Sequence, residues 1–87
     1  HSLFPSKELD SLARISQQIE VIETLIESNQ AGLDNLEAIK STLDDISVSL
    51  DEMSLKRQSK EINNFTTQIR QLNEWLDEHQ DLERSKE

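Results

Sequence analysis

His79 and Glu83 stand four residues apart near the end of the chain. At that spacing one helical turn turns an imidazole and a carboxylate toward the same metal ion. A zinc-type site needs a third and a fourth ligand, and the chain has no cysteine to supply them. The pair therefore reads as a histidine at the fading end of an apolar seam, and no metal is assigned; His1 carries no ligand pattern. Adjacent carboxylates occur at Asp44-Asp45, Asp51-Glu52 and Asp77-Glu78. They would serve acid–base chemistry only inside a cleft that drives their pKa values apart. No Ser–His–Asp spacing, glycine-rich phosphate loop or calcium loop accompanies them. The chain reads as non-enzymatic, with no cofactor.

The other residues that invite a role do so by packing. Asn29 falls at a seam position, where a buried amide selects register and strand number because misaligned copies leave it unpaired. It equally suits a turn beside Gln30 and Gly32. Trp75 and Phe65, at helical spacing with Ile69 and Leu72, read first as core or inter-chain packing and second as anchors in a partner's groove. Leu3-Phe4-Pro5 is extended, and reads as an arm against the helices, a docking peptide or a disordered start.

Long amphipathic helices must position all of these. Leu12, Ile15, Ile19, Ile22, Ile26, Asn29, Leu33 and Leu36 recur at alternating spacings of three and four, the heptad pattern of a coiled-coil seam. Ser6 is the expected N-cap, with Glu8 and Asp10 near the positive end of the helix. Leu36, Ile39, Leu43, Ile46, Leu50 and Met53 continue the stripe, shifted by the two threes at Leu33-Leu36-Ile39. In an unbroken helix that shift is a stammer. After Met53 the next seam positions are the charged Arg57 and Lys60, and the pattern resumes out of step at Leu55, Ile62, Phe65, Ile69, Leu72 and Leu76. A break is expected near residues 54–60, with Ser59 capping a new helix and Glu61 in its first turn. At Gly32, the only glycine, the seam keeps its phase, which favours a continuous helix. A mid-helix glycine costs only about 1 kcal/mol relative to alanine. The competing reading ends the helix at "SNQAG" and opens another at Asp34.

Composition narrows the class. Eighty-seven residues make one domain at most, of a size that often leans on a disulfide, a metal or a partner. The absence of cysteine removes the disulfide. No apolar run approaches the roughly 20 residues of a membrane span, and no signal peptide is visible. These features suggest an intracellular protein, cytoplasmic or nuclear, without direct membrane insertion. The missing initiator Met reads as a segment of a longer protein. A net charge of −9 argues against nucleic acid as partner. Acids dominate residues 8 to 52, opposed only by Arg14 and Lys40, before the basic island Lys56, Arg57 and Lys60. Such a block reads first as a solvated face; the sharper reading is that parallel copies would repel, which favours a different partner or an antiparallel arrangement.

The stretch "FTTQIRQLNEWLDEHQDLE", residues 65 to 83, resembles the first helix of a spectrin repeat, where a Trp-Leu pair follows an apolar run. The resemblance places Ile46 to Ile62 in the third helix of a preceding repeat. The tryptophan expected in that third helix is missing, and the chain is shorter than a usual repeat.

The expected fold is all-α: long amphipathic helices forming a coiled coil or an elongated helical bundle. Its parts are an extended arm at 1–5, a heptad-patterned helix at 6–53 with a possible turn at 29–33, a hinge or turn at 54–60 and a C-terminal helix at 61–85. The expected role is an oligomerisation or assembly module, a coiled-coil scaffold segment that pairs with itself or with a related helical subunit. The alternative is an autonomous three-helix adaptor for a peptide or cargo protein. The interface expected for assembly is Ile15, Ile19, Ile22, Ile26, Asn29, Leu33, Leu36, Leu43, Ile46, Leu50, Ile62, Phe65, Ile69, Leu72 and Leu76. Isoleucine at both seam positions of the first helix, widened by Val21 and Leu25, points beyond a dimer. If these seams pair between chains, Ile22→Ala costs about 2–5 kcal/mol and weakens self-association in sedimentation equilibrium; unchanged association removes the first helix from the interface.

Overall fold

Each apolar stripe forms a helix of its own. The computed structural model describes residues 4–28 and 32–85, apart from the side chain of Leu33. It contains α1 (Ser6–Glu27), α2 (Leu33–Lys56) and α3 (Lys60–Ser85), and no strand among the described residues. Asn29 lies outside them.

The helix ends follow from local chemistry. Pro5, with φ −57° and ψ 152°, is the N-cap of α1, and its carbonyl accepts the N–H groups of Glu8 and Leu9, both at 3.0 Å. The expected cap, Ser6, is instead the first helical residue. Proline suits the cap position because it has no N–H to leave unsatisfied there. Glycine 32 is the N-cap of α2, and its carbonyl accepts the Leu36 N–H at 3.0 Å. At the start of α3 the Ser59 hydroxyl accepts the Glu61 N–H at 3.2 Å, and the Ser59 carbonyl accepts the Asn63 N–H at 3.0 Å. The interval between α2 and α3, residues 57–59, falls inside the segment marked by the charged seam positions.

Continuity through Gly32 does not hold: α1 ends at Glu27 and α2 begins at Leu33. A single helix over 6–53 would run about 72 Å at 1.5 Å per residue, whereas the molecule measures 51 × 21 × 16 Å. Preserved phase does not require a continuous helix, because two helices folded back on each other also need stripes that meet. The stammer disappears with the break, since Leu36 and Ile39 simply open the stripe of α2. Ile46 to Ile62, one helix in the spectrin-like comparison, is split by residues 57–59.

Successive helices are antiparallel. Lys7, Glu8 and Ser11 share a wall with Ser49, Met53 and Lys56, while Val21 and Leu25 lie opposite Asn35 and Ala38. On the other side Lys40 donates to the Asn73 side-chain oxygen at 3.3 Å, and Leu50 shares a wall with Thr66 and Ile69. The result is a three-helix, bundle-like fold in which α2 approaches α3 closely, α1 less so. Every residue of the α2 stripe from Leu36 to Met53 is buried. Burial in α3 selects Ile62, Ile69 and Leu76, seven residues apart, and leaves Phe65, Leu72 and Trp75 only partly covered. Leu55, expected to resume the seam, is 88% exposed. It lies two residues from Met53, about 200° around the helix, and so points away from the core.

Gly32 has φ −68° and ψ 167°, ordinary for any residue, and nothing lies within 4 Å of where a Cβ would sit. Gly32→Ser should therefore stabilise the chain by about 0.5–1 kcal/mol, through fewer unfolded conformations and a better cap. The urea midpoint measures this; a drop would show that the position needs glycine.

Candidate interaction site

The residues expected to join chains meet one another inside a single chain. Ile15, Ile19, Ile22, Leu36, Leu43, Ile46, Leu50, Ile62, Ile69 and Leu76 are buried, and Ile26, Phe65 and Leu72 pack against them half-covered. Asn29 and the Leu33 side chain are outside the described residues. A seam built from this set between chains would first have to open the core.

Two grooves lie along the flanks of α1. Between α1 and α2 a groove of about 440 Å³ is lined by Val21, Ile22, Leu25, Ala38, Ile39 and Thr42, with Arg14 as its only charged residue. Val21 is 60% exposed there. Apolar breadth at Val21 and Leu25 was legible in the sequence; its placement was not. Between α1 and α3 a second groove, about 240 Å³, has Ile26, Leu72 and Trp75 as its apolar residues and Glu23, Glu27, Gln68 and Gln71 as its polar ones. Here the half-buried Trp75 ring stacks on His79, centroids 3.9 Å apart and planes 18° from parallel. His79 Nδ1 lies 2.9 Å from the Trp75 carbonyl oxygen. The imidazole is thus engaged with the indole of its own helix. Among the described residues no group of three or more His, Cys, Asp or Glu side chains gathers as metal ligands.

A third feature closes the opposite end. Phe4 is 8% exposed and part of the core, and the Arg57 guanidinium sits over its ring at 5.0 Å. Arg57 Nε also faces Glu8 Oε2 at 3.5 Å, although neither atom makes a hydrogen bond. Of the readings open for Leu3-Phe4-Pro5, Phe4 takes that of an arm against the helices; Leu3 is outside the described residues. In the sequence Arg57 stands out as a charge that interrupts the seam and as part of the basic island with Lys56 and Lys60. Its contacts reach residues about fifty positions away in sequence, and no local pattern announces them.

No family model, curated protein or solved structure matches the chain. Among the described residues no helix is long and apolar enough to cross a membrane.

The arm makes a measurable claim. In a double-mutant cycle of Phe4→Leu with Arg57→Met, followed by urea unfolding, the coupling should be about 0.5–1 kcal/mol. A coupling near zero would show that the stacked guanidinium adds nothing to the packing of Phe4.

Proposed function

We propose that the chain is a non-catalytic protein-interaction module, a three-helix adaptor that folds as one chain and receives a helical segment of another protein along α1. The observation that carries this is the division of its apolar residues. The regular seams are buried among themselves, while α1 stands away from its neighbours and leaves an apolar groove on each flank. Helix-in-groove recognition requires such a trough between helices, read by apolar side chains about one turn apart.

Assembly through self-association is the second reading, and it rests on one feature, the exposed Val21 beside Leu25. Two copies could cover that strip, but each brings a net charge of −9, which opposes their approach.

Light scattering on a sizing column, over a range of concentrations, separates the two. The adaptor predicts a particle of one chain, 10.1 kDa, and a Cα radius of gyration near 14.4 Å. That is slightly above the roughly 12 Å of a compact chain of this length. A concentration-dependent dimer, trimer or tetramer would replace the adaptor with the assembly module.

A further inference from the structure

The two grooves beside α1 differ in charge, and the difference specifies a partner. On α1 the wall facing α3 carries Glu23 and Glu27, one turn apart on the same side. No base occurs in α1 after Arg14, and none lies in its last turn. Like charges four residues apart repel, and they stand here near the negative end of the helix dipole. No ion pair joins Glu23 or Glu27 to a described residue. The chain alone thus tolerates an unfavourable electrostatic arrangement beside an open apolar trough. At the bottom of that trough is a tryptophan, a residue type enriched where binding energy concentrates. Leu82, seven residues beyond Trp75, is 57% exposed on the same side of α3 and extends the apolar strip.

We propose that the α1/α3 groove binds a cationic amphipathic helix of another protein. Its apolar side chains would seat on Ile26, Leu72 and Trp75, and flanking Lys or Arg side chains would meet Glu23 and Glu27. A second copy of this chain does not suit the groove, because it would add acids to acids: its eighteen carboxylates outnumber nine bases. The larger α1/α2 groove has no carboxylate in its lining and so does not select for positive charge. This proposal rests on the interaction-module reading and adds the groove and the chemistry of the partner.

Trp75 is the only tryptophan of the chain, so its fluorescence reports on this groove alone. The probe is a synthetic helix of Leu and Lys about 18 residues long, five turns, against a Leu/Glu peptide of the same pattern. Binding of each is followed by Trp75 emission and by the anisotropy of a label on the peptide. The Leu/Lys helix should shift the emission saturably. The Glu23→Gln/Glu27→Gln variant should bind it roughly tenfold more weakly, whereas Asp44→Asn/Asp45→Asn should leave affinity unchanged. The first variant removes only repulsion, so its fold is retained. Anisotropy without a response from Trp75 would place the helix elsewhere, leaving the interaction module standing and overturning this groove. Equal affinity in both variants, equal binding of the Leu/Glu peptide, or no binding at all would also overturn it. Failure of the module itself shows separately, as an oligomer in light scattering.

Discussion

Helix α2 has to satisfy two neighbours with one stripe of side chains, and the rest of the molecule is arranged around that demand. Leu36, Leu43, Ile46 and Leu50 are almost completely removed from water, each worth on the order of 1.5–3 kcal/mol of transfer free energy. The chain has no disulfide to share the task. Side chains on α1 and α3 that point at this stripe are covered, and those a quarter-turn away are not. Both grooves beside α1 follow directly, because three helices around one central stripe leave their outer flanks unmatched.

Those flanks are where physical character diverges. One side of α1 carries Val21 and Leu25 over a small-residue wall at Ala38 and Thr42. The other side carries carboxylates over Trp75. The same helix therefore offers one trough whose only charge is Arg14 and one lined by carboxylates. Rim carboxylates of this kind act mainly on encounter and specificity, while an aromatic anchor supplies affinity. On the proposed binding of a cationic helix, the two contributions would be separated on one narrow surface, Trp75 supplying the anchor and Glu23 and Glu27 the charge.

At the far end, the arm solves a problem common to small helical proteins, the open bottom of the core. Phe4 plugs it, and Arg57 lies over the plug from the turn between α2 and α3. An exposed guanidinium would have done nothing for the core; laid across an aromatic face, its planar surface covers apolar area as well. The charge that ends the α2 stripe thereby ties the chain's beginning to its middle.

Helix class, the three apolar stripes and most core positions were legible in the sequence, because spacings of three and four have one structural meaning on a helix. Ser59 and Glu61 were likewise readable, since a cap acts on its own first turn. Gly32 was not. Phase across it was compatible with a rod and with a hairpin, and the choice depended on whether Ile15, Ile19 and Ile22 could reach the stripe of α2, a contact between distant residues. The resumption of the seam at Leu55 failed for the same reason: the new phase belongs to α3 and its reversed direction. Whether Trp75 would be core or anchor, and which acids would stand beside it, also required the fold. Periodicity specifies which face of a helix is apolar; only tertiary packing decides what that face meets and which flank is left open.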